Sequence, residues 1–223
     1  RVEETYGEDP YLIAEMGIGF VKGYQKHRIT CTPKHFVAHG TPTGGLNCAF
    51  VSGGEREFRS MHLYPFARVI KEADPLCIMS CYSAYDGIPV SASPYYMTDV
   101  LRDELGFKGY VYSDWGAIEM LKTLHYTAHN SEEAAMQAFT AGLDVEASSN
   151  CYPLLADLIK EGKLDEEILN ESVRRVLYVK FKMGLFEDPY GERYAHCKMH
   201  PQEGVQLSKE ISDESVVLLK NEN

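Results

Sequence analysis

Apolar positions along this chain alternate between a helical period and short, strand-like runs. From Pro10 onward they recur every three or four residues, which predicts a helix over residues 10–26 with Asp9 as its capping residue. The same period continues in later segments. It predicts further helices over residues 55–73 (kinked at Pro65), 94–105, from an Asn130 cap to Ala141, 152–161 and 165–184, and a last one after Pro201.

Short β-prone runs separate these helices. They cover residues 29–36, 76–82, 109–113 and 143–146, and a turn at Tyr85-Asp86-Gly87 follows the second run. The second run is continuously apolar, as expected for a strand buried on both faces of a parallel sheet. Helices that alternate with such strands indicate repeated βα units, and therefore an α/β fold with a parallel sheet.

Four strands are half the number in a (β/α)₈ barrel, and the alternation here begins with a helix. We therefore predict a partial TIM-type barrel, its C-terminal half, whose earlier strands lie upstream of Arg1. A small doubly wound sheet is the alternative. Residues 1–186 are assigned to the barrel, and residues 187–223 to a linker and helix that lead to a second domain.

Composition narrows the class of protein further. The 223 residues are 44% hydrophobic and 25% charged, which is typical of a folded globular protein. A formal net charge of −11 argues against nucleic acid and anionic lipid as partners. No apolar run is long enough to span a membrane, and the chain does not start like a signal peptide, so the compartment stays open. The six cysteines show no C-x-x-C spacing, and Cys77 and Cys81 are expected to be buried free thiols.

Polar residues lie at the carboxyl end of each predicted strand. They are Lys34-His35, Met79-Ser80-Cys81-Tyr82, Asp114-Trp115 and Asp144-Val145-Glu146. Because reactive groups in parallel α/β folds lie at the carboxyl ends of strands, we expect these side chains to meet. Asp114 directly precedes the single tryptophan, and a carboxylate beside an indole suits sugar binding, since pyranose faces stack on indole while hydroxyls bond to charge.

Each of these features has a simpler interpretation. Asp114 is equally suited to cap the next helix, and Lys34-His35 is equally a surface pair. His35 and His39 would suit a metal only on a helix, and no H-E-x-x-H motif occurs, so no metal is predicted. Gly17-x-Gly19 lies inside the first predicted helix rather than after a strand, so we predict no dinucleotide cofactor.

Six ordered motifs match a known family. They are RVEETYGEDPYL, KHFVAHG, MSCY, LRDELGFKGYVYSDWGAIEML, AGLDVE and VVLLKNEN. Together they make the whole chain resemble glycoside hydrolase family 3, the retaining β-glucosidases and β-xylosidases. The resemblance implies hydrolysis of terminal non-reducing β-D-glucosyl residues through a covalent glycosyl-Asp intermediate, with β-xylosidase as the close alternative. It implies a β-linked oligosaccharide or glycoside as substrate and no cofactor.

The resemblance also assigns site residues. Asp114 matches the nucleophile of the family. The substrate-binding residues of the family fall on Arg1, Lys34, His35, Met79, Tyr82 and Trp115. Cationic Lys34 and Arg1 near Asp114 would keep its carboxylate ionised for attack on the anomeric carbon.

A retaining mechanism needs a second carboxyl about 5–5.5 Å away as general acid/base. From the residues alone Glu146 is the candidate, whereas the resemblance places this group on a following α/β domain, into which VVLLKNEN leads. We follow the resemblance, and therefore expect little or no turnover from these 223 residues alone.

Other activities are less well matched. The β-N-acetylglucosaminidases of the family carry an Asp-x-His motif in the loop after the Lys-His pair, and here that loop, TPTGGLNCAF, has neither residue. An enzyme of a different class, an aldolase or lyase, would use Lys34 to form a Schiff base. A sugar-binding half-barrel without activity is the alternative that is not an enzyme.

Overall fold

The computed structural model describes residues 4–222, which divide into two compact units at Gly184 and Leu185. The first unit contains α1 (Pro10–Gln25), α2 (Glu55–Glu57), α3 (Tyr64–Ala73), α4 (Ala117–Thr123), α5 (Ser131–Ala141), α6 (Leu155–Lys160) and α7 (Glu166–Lys182), with β1 (Cys77–Met79), β2 (Ala84–Tyr85), β3 (Ile88–Pro89) and β4 (Tyr110–Tyr112). It also contains π-helical segments at Phe58–Leu63 and Tyr95–Glu104 and 3₁₀ turns at Thr43–Gly45, Val90–Ala92 and Tyr152–Leu154. The second unit contains a 3₁₀ turn at Glu192–Tyr194 and α8 (Gln202–Glu214).

A parallel ladder runs through the first unit. β1 pairs with β4, and single bridges join Phe36 to Ser80 on one side and Tyr112 to Val145 on the other. Four chain segments therefore lie side by side in their sequence order, which confirms the predicted α/β fold.

The outer two segments are shorter than predicted, because residues 29–36 and 143–146 contribute only single bridges. Pro33 has no N–H to donate to a ladder. In the last segment the Asp144 carboxylate accepts the Val111 N–H at 2.8 Å, in the place where a strand carbonyl would otherwise bind. A hydrogen bond to the Asp144 side chain thus replaces one of the backbone hydrogen bonds of the ladder.

A β-hairpin, β2 and β3, follows β1. The predicted turn is present, with Asp86 and Gly87 at φ +49° and +83°. Two successive positive φ values are typical of the tight turn that joins antiparallel strands, and explain why a short hairpin forms here.

The helices largely agree with the apolar period. The Asn130 side chain accepts the Glu133 N–H at 2.9 Å, as the predicted cap requires. The long helix over 55–73 is instead interrupted by the π-helical segment Phe58–Leu63 just before Pro65, which cannot donate to the preceding turn. The predicted helix over 94–105 is π-helical, and α4 was not predicted.

The core lies between the ladder and the helices that cover it. Its largest fully buried side chains are Phe36, Phe58, Ile78, Met97, Leu101, Ile118, Leu121 and Leu143. The ladder segments and several of the helices contribute to one continuous cluster, while buried residues of α1 and α3 form a smaller one. The strand ends are therefore held by a common core. The thiols of Cys77 and Cys81 are free and buried, as predicted.

A buried ion cluster fixes the last ladder segment. The Asp144 side chain is 1% exposed and accepts hydrogen bonds from Arg102 at 2.7 Å and Arg175 at 2.9 Å, besides the one from Val111. Arg102 lies in the second π-helical segment and Arg175 in α7, so one carboxylate joins two helices and two ladder segments. These contacts give Asp144 a structural role, although it lies at the end of a predicted strand.

The second unit is described by itself. Asp188 accepts the Glu192 N–H at 2.8 Å and pairs with Arg193, which orders the turn before α8. None of the helices in residues 4–222 has the length and apolar character that a membrane span requires.

Candidate active site

The turn that carries Asp114 is anchored to the neighbouring loop by backbone and side-chain hydrogen bonds. The Ser113 hydroxyl accepts the Ala147 N–H at 2.8 Å, and the Gly116 N–H donates to the Ala147 carbonyl at 2.8 Å. Ser113 N–H also donates to Val145. Asp114 therefore leaves the end of β4 in a conformation that its neighbours determine on both sides.

The Asp114 carboxylate is 8% exposed and its two oxygens have different surroundings. Oδ1 accepts the Trp115 N–H at 2.7 Å, and Oδ2 lies 3.4 Å from His35 Nε2. The residue that caps α4 is Gly116, at φ +73°, with no side-chain cap. The interpretation of Asp114 as a helix cap is therefore wrong.

Lys34 and His35 are neighbours in the sequence but contact different acidic residues. His35 lies against Asp114 with its side chain 11% exposed. Lys34 is exposed and its Nζ lies 3.3 Å from Glu4 Oε2. This hydrogen bond lowers the pKa of the Glu4 carboxyl. The salt bridge of Lys34 within residues 4–222 is thus with Glu4 rather than with Asp114, and Arg1 lies outside the described residues.

Tyr82 approaches the carboxylate from the end of β1. Burial raises the pKa of the Tyr82 phenol well above its ordinary value, and interaction with the Asp114 carboxylate raises it further. The Tyr82 ring packs edge-on against His39 at 6.1 Å, and His39 lies 4.4 Å from the His35 ring, centroid to centroid. From the sequence alone, His39 is considered only as a possible metal ligand. Its position four residues after His35 in the KHFVAHG motif was the signal that it lies near the site.

Trp115 and Met79 differ in their exposure and in their distance along the ladder from Asp114. The Trp115 side chain is 70% exposed directly beside the carboxylate, so the indole is open to a stacking partner. Met79 ends β1 opposite Tyr112 and is partly buried. It lies one strand away from the carboxylate, at the same edge of the ladder.

The carboxylate of Glu146, the candidate acid/base within this chain, accepts hydrogen bonds from the backbone. One of its carboxylate oxygens accepts the Cys151 N–H at 2.6 Å and the other accepts the Tyr152 N–H at 2.8 Å. Both oxygens thus satisfy the backbone of the turn before α6. A carboxyl held in this way stabilises the loop and is poorly placed to exchange protons with a substrate.

A cleft of about 380 Å³ opens beside the first ladder segment. Its lining includes the polar side chains of Glu4, Lys34, His35 and His39 and apolar side chains of α1 and α3, whereas Asp114 is not among its lining residues, so His35 is the residue that the cleft shares with the surroundings of the carboxylate. Within the described part of the chain, no group of three or more His, Cys, Asp or Glu residues is arranged to hold a metal ion. The site combines a carboxylate, an imidazole, a phenol and an open indole, which suits a polyhydroxylated ligand and nucleophilic attack by carboxylate.

Comparison with known proteins agrees with this chemistry. Residues 1–179 match the family model described as the glycosyl hydrolase family 3 N terminal domain. Similar curated proteins include a β-xylosidase of Formosa agariphila (32% identical, 100% of this chain, 33% of that protein) and a lysosomal β-glucosidase of Dictyostelium discoideum (34%, 100%, 29%). A periplasmic β-glucosidase of Salmonella typhimurium is 35% identical over 99% of this chain and 30% of its own length.

Solved structures show the same similarity. A β-glucosidase from Listeria innocua aligns with a TM-score of 0.93 at 36% identity, over 99% of this chain and 32% of that protein. A structure of the Listeria protein in complex with glucose aligns with a TM-score of 0.82 over 85% of this chain and 28% of that one. The chain thus spans about a third of the length of the relatives that it matches.

Proposed function

The chain belongs to glycosyl hydrolase family 3, and from this premise we propose that its protein hydrolyses terminal non-reducing β-D-glucosyl residues with retention of configuration. The observation that carries the proposal is the Asp114 carboxylate, fixed through Oδ1 by the Trp115 N–H and facing His35 through Oδ2. A buried carboxylate beside an imidazole and an open indole suits attack on a bound sugar.

In the proposed reaction, Asp114 Oδ2 attacks the anomeric carbon and forms a glycosyl ester while the bond from that carbon to the leaving oxygen breaks. The leaving oxygen takes a proton from the general acid. The same group then removes a proton from water, which attacks the anomeric carbon and releases Asp114 as the carboxylate. His35 and Tyr82 contact the nucleophile, and Trp115 stacks on the sugar face.

The general acid/base is proposed to come from another part of the full-length protein. Both oxygens of Glu146 already accept backbone N–H groups. The relatives are about three times as long as this chain, so they have ample sequence for such a residue.

Replacing Glu146 by Gln tests this assignment in the full-length protein. We expect kcat for 4-nitrophenyl β-glucoside to change less than about threefold. The free energy of unfolding should fall by about 1–3 kcal/mol, because two hydrogen bonds to a charged group are weakened. A loss of kcat of a hundredfold or more, restored by added azide as an external nucleophile, would identify Glu146 as the acid/base instead.

We further propose that the first unit is half of a (β/α)₈ barrel, with residues 1–186 in the barrel and residues 187–223 leading to a second domain. Within residues 4–222, the segment around Phe36 lies at one edge of the parallel ladder and is bridged there to the segment that continues β1. One face of α1 is apolar but about half exposed, through Leu12, Met16, Phe20 and Tyr24. Apolar faces of this size on a helix are normally covered, and further barrel strands and helices would cover this one.

A β-xylosidase is the second candidate, because the Formosa relative carries that name. Glucose and xylose differ by one hydroxymethyl group, so the ratio of kcat/KM for the two aryl glycosides decides between them. The Schiff-base alternative is disfavoured, since Lys34 Nζ is exposed and forms an ion pair with Glu4, whereas an amine nucleophile is usually desolvated.

Covalent trapping tests the proposed nucleophile. The full-length protein is incubated with 2,4-dinitrophenyl 2-deoxy-2-fluoro-β-glucoside, digested with pepsin and analysed by mass spectrometry. We expect a fluoroglucosyl ester on Asp114. Labelling of a different carboxylate would contradict the assignment, and borohydride trapping of a keto substrate on Lys34 would support the lyase.

A further inference from the structure

The loop that follows α4 returns to the strand end that carries Tyr82. His125 Nε2 lies 2.8 Å from the Tyr82 carbonyl oxygen. A carbonyl oxygen only accepts hydrogen bonds, so Nε2 carries the hydrogen and donates it. Burial lowers the pKa of the His125 imidazole, which favours the neutral ring with its hydrogen on Nε2.

Helix α4 connects this bond to Asp114. The helix begins at Ala117, three residues after Asp114, and ends two residues before His125. The His125 N–H donates to the Met120 carbonyl at 2.8 Å, so the loop is fixed to the last turn of the helix. One short helix therefore starts beside the candidate nucleophile and returns a side-chain donor to the adjacent strand end.

We propose that His125 is a positioning residue of the candidate active site, which holds the main chain of Tyr82 so that the phenol faces the Asp114 carboxylate. The residues on either side of Tyr82 are tied elsewhere, because Cys81 N–H donates to Phe36 and the Ser83 carbonyl accepts from Val90. The Tyr82 carbonyl bonds to His125. The inference rests on the proposed function and adds a residue to it.

Three substitutions in the full-length protein test the role of His125. His125→Phe keeps a ring but removes the donor, and we expect kcat for 4-nitrophenyl β-glucoside to fall about 10–100-fold with little change in KM, since small displacements of catalytic groups have effects of this size. His125→Gln retains an N–H donor and should recover most of the loss. His129→Phe alters an exposed histidine of the same loop and should leave kcat within about twofold of the wild type.

A double-mutant cycle separates positioning from a general structural role. If His125 acts through Tyr82, His125→Phe lowers kcat much less in a Tyr82→Phe background than in the wild type. Equal losses in both backgrounds, or full activity of His125→Phe, would overturn the proposal. Should His125→Phe not fold, His125→Ser, which is too short to reach the carbonyl, takes its place with the same expectation.

The failure of the proposed function would be visible separately, as a wild-type protein without glycosidase activity. In that case crystal structures of the wild type and His125→Phe test the inference directly. A displaced Tyr82 carbonyl and phenol would support it, and an unchanged Tyr82 would refute it.

Discussion

Replacement of Asp114 by Asn is expected to lower kcat/KM for an aryl β-glucoside by about 10⁴-fold or more, as removal of a covalent nucleophile does in other enzymes. Asparagine has nearly the same shape, and its carbonyl oxygen can still accept the Trp115 N–H. Its amide nitrogen, however, cannot attack the anomeric carbon. The loss should therefore appear in kcat rather than in binding, measured as initial rates with the full-length protein.

Asp157→Asn is the matched control, because this carboxylate lies in an exposed pair with Lys160 on α6. It should leave kcat/KM within about twofold of the wild-type value. Glucose should still bind to the Asp114→Asn protein in a calorimetric titration. Residual activity within tenfold of the wild type, with the protein confirmed by mass, would exclude Asp114 as the nucleophile.

The second large effect is on stability. Asp144→Asn is expected to lower the free energy of unfolding by about 3–5 kcal/mol, the usual cost of removing one partner from a buried ion pair. Burial lowers the pKa of the Arg102 guanidinium, and the Asp144 carboxylate opposes this shift. Without that negative charge, Arg102 and Arg175 would remain close together beside a neutral amide.

Urea denaturation of the full-length protein, followed by circular dichroism, measures this loss. Asp157→Asn serves again as the control and should cost less than about 1 kcal/mol, since exposed ion pairs contribute little. Arg102→Met should cost less in the Asp144→Asn background than in the wild type, because the two charges are coupled. Additive losses would mean that Asp144 and Arg102 stabilise the fold independently.

Much of the fold could be predicted from the sequence, because local signals and tertiary packing agree. α1 begins at Pro10 after the Asp9 cap, and α5 begins after Asn130, both as predicted. The predictions are wrong where tertiary contacts, rather than local sequence signals, determine the secondary structure. Helix α4 has seven residues and no capping side chain. The outer ladder segments are short because Pro33 and the Asp144 side chain change the backbone pairing.

The candidate site could be predicted in part. Strand-end position and the resemblance together identified Asp114, His35 and Tyr82, which the structure brings together. Their catalytic and binding roles remain predictions. His125 was missed, because its contact with Tyr82 joins residues 43 positions apart and no sequence spacing reports such a contact. The sequence indicated Glu146 as a candidate acid/base because it does not show that backbone N–H groups bind both oxygens of this carboxylate.

Hydrogen bonds within the polypeptide hold the Asp114 turn. Ser113 and Gly116 bind the main chain of the next loop, and Trp115 binds the carboxylate. The carboxylate of the candidate nucleophile is therefore oriented by the fold of the chain itself. A ligand entering this side of the site loses little affinity to the ordering of that turn, and rigid molecules shaped like a half-chair sugar should bind it with most of their interaction energy intact.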